Sequence, residues 1–260
     1  MDKSQLVRWF GFPTTLIHGD TLVLDRWFWL CRYLPVTRNG ERVLDVGCGT
    51  GAFTIGAARR GYCAIGLSWD ERNQTVALER ARLCGINNIE FPIQDVRRLD
   101  RREDFKDQFD FVVCLETIEH ILDDRKLMRD MAYCLKPGGR LLLTAPNYYY
   151  RAITTGDSGP FSTQETGWHV RRGYSVAALQ ELCRHANLDV EEINSCSGFL
   201  SQKVTALGRV IRMPLAVRFA LTLPLRLFPP IFDPLISKLT NWPDFSICLV
   251  AYKSRWSVGS

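Results

Sequence analysis

The sequence predicts an α/β fold in which short buried strands alternate with helices around a mostly parallel sheet. Three observations carry this. Residues 42–51, RVLDVGCGTG, are an apolar run that ends in an acid and then in glycines at 47, 49 and 51. That is the pattern of a buried parallel strand running into a tight turn and a helix, where glycine admits a left-handed backbone and close approach of a ligand. Further strand-length apolar runs recur at 63–68, 89–94, 109–118 and 140–144, with segments of helical composition between them. The chain has 260 residues, 46% hydrophobic and 23% charged, which suits one such core with an elaboration.

Taken in order, residues 1–40 carry many aromatics, among them Trp9, Phe10, Phe12, Trp27, Phe28, Trp29 and Tyr33. Residues 21–34 read as a helix, with Thr21 as cap and Pro35 just beyond its end. The rings either pack this helix onto the sheet or belong to a lid over a substrate. The glycine turn at 47–51 has the spacing D-x-G-x-G-x-G and not the G-x-G-x-x-G of dinucleotide folds. Asp45, Gly47, Gly49 and Gly51 resemble motif I of the class I S-adenosylmethionine (SAM) dependent methyltransferases. That resemblance implies a Rossmann-like seven-stranded sheet with SAM as cofactor, Asp45 facing the cationic end of SAM, and an N-terminal helical cap at 1–40.

After a helix at 52–60 stopped by Gly61, the second strand ends at Ser68, where many members of the family have an acid for the ribose hydroxyls. Cyclopropane fatty acid synthases and sterol C-methyltransferases are similar to this chain in lacking that acid. By that likeness the ribose falls to Ser68 and to Asn73 five residues on, with Asp70 as the nearest substitute carboxylate. Trp69 either lies against the adenine or fills the core. Asp70 is placed to cap a helix that runs to Cys84. The third strand ends at Asp95, and the resemblance assigns the adenine to Asp95 and the backbone of Val96; a plain helix cap is the competing role for Asp95.

The fourth strand, 109–118, brings Leu115 to the cofactor and sets Glu116, Glu119 and His120 at and beyond its carboxyl end, where open α/β sheets bind their ligands. Residues 136–139 are predicted to be a turn, 140–144 the fifth strand and Pro146-Asn147 its exit. The long polar segment that follows reads as a functional loop, and its WHVRRGYS phrase is similar to one in many small-molecule methyltransferases. Tyr148, Tyr149, Tyr150, Trp168 and His169 therefore face the acceptor in this reading, against a purely structural role for His169. A helix from Ser175 to Ala186 and strands at 188–195 and 246–253 complete the core, taken as 41–196 plus 246–260.

Between those last two strands the family has a short connection, whereas here residues 197–245 intervene. They hold six basic residues (Lys203, Arg209, Arg212, Arg218, Arg226, Lys238) against Asp233 and Asp244, among apolar residues broken by Pro214, Pro224, Pro229 and Pro230. Two readings are open: an interfacial surface for a lipid tail and an anionic head, or a cap whose arginines stay in water.

Composition and pattern exclude several classes. No stretch reaches ~18 apolar residues without charge or proline, no signal peptide is evident, and the nine cysteines show no metal-type Cys/His spacing. They read as reduced thiols of a cytoplasmic protein that is peripheral to the membrane at most; no metal is expected. The phrase LETI after the fourth strand is not the N-P-P-Y-type tetrad of nucleic-acid methyltransferases, so no nucleic-acid partner is expected. The implied function is methyl transfer from SAM to a small-molecule or lipid-linked metabolite. A carbon methyltransferase of a prenyl or alkene substrate and an inactive SAM-binding relative are the alternatives. His169 is the first candidate base for an O- or N-acceptor, with His120, Glu119 and Glu116 beside it; for an alkene, Glu116 would stabilise the carbocation.

Overall fold

The computed structural model describes residues 3–17, 21–211, 217 and 224–255. Helices α1 (Lys3–Phe10), α2 (Pro13–Ile17) and α3 (Thr21–Tyr33) precede β1 (Arg42–Val46), α4 (Ala52–Arg59), β2 (Cys63–Leu67), α5 (Glu71–Leu83), β3 (Ile89–Glu90) and β4 (Phe109–Leu115). Then come α6 (Asp124–Cys134), β5 (Leu135–Pro146), α7 (Val176–His185), β6 (Leu188–Cys196), α8 (Phe199–Val210), α9 (Pro229–Thr240) and β7 (Ser246–Lys253). The strands form one seven-stranded sheet in the order β3-β2-β1-β4-β5-β7-β6. β7 is antiparallel to both β5 and β6, and the pairs from β3 to β5 are parallel.

The sheet is buried on both faces because successive strand residues point to opposite sides. Leu141, Leu143 and Leu249 pack with Met128 of α6 and Leu179 of α7 on one side. Leu142, Cys248 and Val250 pack with Trp29, Leu30 and Leu34 on the other. The helix at 21–33 thus packs its rings on the sheet as its pattern predicts, although Phe28 is exposed. Thr21 is already its first helical residue, so the capping position falls on a residue outside the described set.

Several predicted boundaries shift. Regular pairing in the third strand stops at Glu90; Pro92 lacks an N–H for the ladder, and only the isolated Ser68–Ile93 bridge continues it. The fourth strand ends at Leu115, since Glu116 adopts a left-handed φ of 50° and residues Ile118–His120 form a 3-10 turn. The predicted turn at 136–139 is an irregularity inside β5, between the Phe109–Leu135 and Phe111–Arg140 pairings. The sixth strand runs one residue longer, to Cys196.

α8 and α9 pack on each other and on α3. Their contact is polar: the N–H groups of Leu200 and Ser201 at the start of α8 donate to Asp233 of α9 at 2.6 and 2.9 Å. The Phe199 N–H donates to Ser237 Oγ at 2.9 Å. A carboxylate on the free N–H groups of a helix start is favourable for both hydrogen bonding and the helix dipole. Arg226 is buried and donates to the Ile17 carbonyl, so it is not one of the solvated arginines the sequence suggests. Arg212, Arg218 and Pro214 lie outside the described residues.

Candidate active site

The carboxyl ends of β1, β2, β4 and β5 meet at one edge, and the turn after β1 is locked there by its neighbours. The N–H groups of Gly47 and Cys48 both donate to the Leu67 carbonyl, at 3.1 and 2.9 Å. Gly47 has φ 87°, and a Cβ there would stand 2.4 Å from the Thr117 side chain. Gly49, at φ 51°, has nothing within 4 Å of where its Cβ would be, so the turn opens onto free space. This is a cradle for a ligand, and its residues fit SAM.

Asp45 lies beneath the turn, 2% exposed, with Thr54 Oγ donating to its Oδ2 at 2.6 Å. Burial pushes its carboxyl up to about 6, against the pull of Thr54, so near neutral pH it carries a buried negative charge that a cationic ligand group would offset. At the end of β2, Ser68 is buried and its Oγ accepts from the Asp70 N–H at 3.2 Å. Asp70 caps α5 by accepting from the Arg72 N–H at 2.9 Å. Asn73 is half-buried on the first turn of that helix. Trp69 is 60% exposed, which rules out the core role and leaves its ring free to cover a ligand.

Asp95 takes the cap role: it accepts from the Arg97 N–H at 3.0 Å and holds the Arg97 guanidinium with both oxygens. Those bonds keep its carboxyl below its usual range. Val96 and Leu115 are buried beside the edge.

Glu116 departs most from its predicted role. Its carboxylate pairs with Arg26 of α3 at 3.2 Å and accepts from Ser246 Oγ at 3.0 Å. A carboxylate already neutralised by a buried arginine is a poor stabiliser of a carbocation. It ties the N-terminal helix to the start of β7 instead. Arg26 and Ser246 were not singled out from the sequence; the available signal was Asp25-Arg26 inside the otherwise apolar LVLDRWFWL.

Glu119, His120 and His169 converge. Glu119 is fully buried, and neither carboxylate oxygen has a hydrogen-bond partner among the described residues. Nε2 of His120 and Nε2 of His169 each lie 3.9 Å from Glu119 Oε1, and the two rings meet edge to face with centroids 4.6 Å apart. Chain connectivity explains the meeting: the Val170 N–H donates to the Glu119 carbonyl at 3.0 Å, which pins the long loop over the 3-10 turn. Burial, and then the nearby Glu116 charge, raises the Glu119 carboxyl well above its ordinary value. Burial lowers His120 and, with His120 beside it, lowers His169 to about 4. Burial thus works against a charge on each of the three, and His169 is less basic than its unperturbed value suggests.

Trp168 and His169 line a cleft of about 370 Å³ with Phe161, Tyr150, Asp157 and Phe245. Trp168 is highly exposed at its mouth. Tyr150 is 2% exposed, and its hydroxyl is bonded to the Asp157 carbonyl, so it forms a wall of the cleft by its ring alone. Tyr148 and Tyr149 are exposed but outside this lining. Two larger depressions, of about 800 and 1100 Å³, lie at the opposite end of the sheet, around Lys136–Arg140 and Arg184–Val190, away from the strand ends that bind ligands in such folds.

Residues 28–193 match the family model described as a methyltransferase domain. A ubiquinone biosynthesis O-methyltransferase from Marinobacter nauticus is 30% identical over 182 residues, 67% of this chain and 74% of that protein. A protein of the same name from Coxiella burnetii is 32% identical over 117 residues, spanning 45% of this chain and about half (48%) of its own length. Among solved structures, a putative sarcosine dimethylglycine methyltransferase from Galdieria sulphuraria superposes with a TM-score of 0.64 at 16% identity, covering 98% of this chain and 99% of that one. The cradle at the end of β1, the sheet order with its antiparallel β7, and these matches agree: the chain belongs to the methyltransferase-domain family and has the class I SAM-dependent methyltransferase fold, with SAM as cofactor.

Proposed function

We propose that this protein methylates a hydroxyl group on a lipid-linked small molecule, and that it does so at a membrane surface. The names of its relatives motivate the O-methyl part. The observation that carries the lipid part is α9, which buries Asp233 and Ser237 and exposes Ile231, Phe232, Leu235 and Leu239. An outward apolar face with the exposed Lys238 on the same helix suits the headgroup and acyl boundary of an anionic bilayer. No helix among the described residues is long and apolar enough to cross a membrane. In this reading 1–40 is a cap, 41–196 with 246–260 the catalytic core, and 197–245 the membrane-facing lid.

Asp45, Gly47, Gly49, Gly51 and Leu115 would hold the amino-acid end of SAM, Ser68 and Asn73 the ribose, and Trp69, Asp95 and Val96 the adenine. Asp95 has lone pairs beyond those its bonds to Arg97 use. SAM supplies an activated methyl group on sulfur. The protein's part is to hold the acceptor oxygen in line in a site shut off from water. The cleft under Trp168 would present that oxygen to His169, which lines it, with His120 packed on the His169 ring behind. His169, neutral at pH 7, takes the hydroxyl proton at Nε2. Tyr148 and Tyr149, outside the cleft, extend the acceptor surface.

Two measurements test the reading. Calorimetry on Asp45→Ala should find no SAM binding; micromolar affinity would remove Asp45 from the site. Formation of S-adenosylhomocysteine should be faster with a prenylated phenol in anionic vesicles than with the same ring lacking the tail. Equal rates would overturn the lipid-linked acceptor.

A further inference from the structure

We propose that Gln74 is a positioning residue of the cofactor site, whose single buried amide fixes the turn after β1 and the ends of β2 and β3 relative to one another. Its neighbour Asn73 faces the ribose in the proposed function, whereas Gln74 is only 4% exposed. The inference starts from a gap in the sheet. In the parallel register set by Ala64–Ile89, Ile65–Glu90 and the Ser68–Ile93 bridge, the carbonyl of Gly66 falls to the N–H of residue 92. That residue is Pro92, which has no N–H. Gly66 is buried, and a buried carbonyl without a donor is unfavourable. Gln74 Nε2 supplies the donor, bonding to the Gly66 carbonyl at 3.0 Å and to the Pro92 carbonyl at 2.5 Å. A helix side chain thus stands in for the missing ladder bond, just before Ser68 and Trp69 leave β2 for the cofactor.

The oxygen of the same amide reaches the cradle. Gln74 Oε1 accepts from the Cys48 thiol at 3.4 Å. Burial raises that thiol well above its ordinary value, so it keeps the proton it donates. The amide is used up by these three contacts, and it acts on SAM through them and not by touching it. The fit continues along one face of α5, since residues three apart line up on a helix. A Cβ at Gly51 would stand 2.8 Å from that of Ala77. Arg80, 3% exposed, donates to the Thr50 hydroxyl at 2.6 Å and to the Thr50 carbonyl at 3.3 Å. Residues 74, 77 and 80 therefore follow the turn from Cys48 to Gly51. SAM spans the interval that Gln74 bridges: its amino-acid end lies on the turn, and its ribose and adenine lie at the ends of β2 and β3. An amide that sets the spacing of the two halves sets how well one ligand meets both without a cost of rearrangement. The inference rests on SAM as cofactor and not on the proposed acceptor.

The test titrates SAM into the full chain by calorimetry, well below the Tm of every variant, with Tm measured alongside. Gln74→Met, similar in length but without the amide, should weaken SAM binding by about tenfold or more, the scale of one lost buried hydrogen bond. Leu249→Ala, a change inside the sheet away from the cradle, should lower Tm yet move SAM affinity by less than about twofold. That difference separates positioning from a general loss of stability. Pro92→Ala restores the backbone N–H opposite Gly66; added to Gln74→Met, it should recover about threefold of the lost affinity. Unchanged affinity in Gln74→Met, an equal loss in Leu249→Ala, or a double variant no better than Gln74→Met would each overturn the proposal. If circular dichroism shows that Gln74→Met does not fold, Gln74→Asn takes its place, because its shorter amide cannot reach both the Gly66 carbonyl and Cys48. A parent chain that does not bind SAM would overturn the cofactor and this proposal with it. A chain that shows the Gln74 pattern yet fails to methylate a phenol refutes the proposed function alone.

Discussion

β5 and β7 bury Leu141, Leu142, Leu143, Leu249 and Val250 completely, whereas α9 buries Asp233 and Ser237 and turns Ile231, Phe232, Leu235 and Leu239 outwards. In the sheet, apolar burial supplies the stabilisation and the backbone ladders satisfy the polar groups. In the α8–α9 pair, hydrogen bonds donated by the N–H groups at the start of α8 to Asp233 and Ser237 position the helices, and apolar surface is left over. The sheet excludes water from both faces; α9 leaves apolar side chains exposed. The family match spans residues 28–193, which include the cofactor cradle, and ends before α8 and α9.

The contrast can be broken most severely in the sheet. Leu249→Ala deletes a fully buried side chain on the central antiparallel strand and should cost about 2–5 kcal/mol in urea unfolding. A loss under 1 kcal/mol would mean that the two faces of the sheet are not tightly packed. Asp233→Ala should cost about 1–3 kcal/mol, and proteolysis should then cut near 197–245 before the sheet is attacked; uniform cutting would show that the insertion and the sheet unfold together.

Asp25, on α3 against the insertion, gives a pH test. Burial raises its carboxyl from 3.8 to about 7, partly opposed by the Ser201 and Ser197 hydroxyls. The folded-state value lies above the unfolded one, so its stabilising contribution is complete below pH ~4 and is lost as pH rises through about 7. Asp25→Asn stays neutral throughout, and its Tm relative to the parent should climb by several degrees between pH 5 and 8. A constant difference would mean that Asp25 ionises freely. The smallest stability effect is expected on the exposed face: Ile231→Ser and Leu235→Ser should each change stability by less than ~0.5 kcal/mol. Both should nonetheless abolish flotation with anionic vesicles at low salt. Flotation that survives both would return the insertion to a plain cap.

Legibility followed locality. Motif I could be read directly because glycines at 47, 49 and 51 answer a backbone need within a few residues, and each lies at positive φ. The cap at Asp70 was legible for the same reason. The shortened β3 and β4 were less so, since apolar runs predict burial better than hydrogen-bond registry. The pairing of Asp95 with Arg97, two residues away, was not anticipated, because the choice between a helix cap and a ligand contact rests on the same carboxylate.

By itself the sequence determined the buried strands and the cradle, since these depend on periodicity and on turns that close over short spans, while SAM and the seven-stranded order were implied by the resemblance of motif I and the later strand ends to the methyltransferases. Only the tertiary structure decided the partners of Glu116 and the meeting of Glu119 and His120 with His169, and only it showed which side of α9 faces outwards. Those depend on contacts between segments far apart in the chain: Arg26 reaches Glu116 across ninety positions, and a single backbone hydrogen bond at Val170 brings His169 over a carboxylate fifty positions earlier. No pattern local to either segment encodes such a contact, because it is created by the packing that joins them.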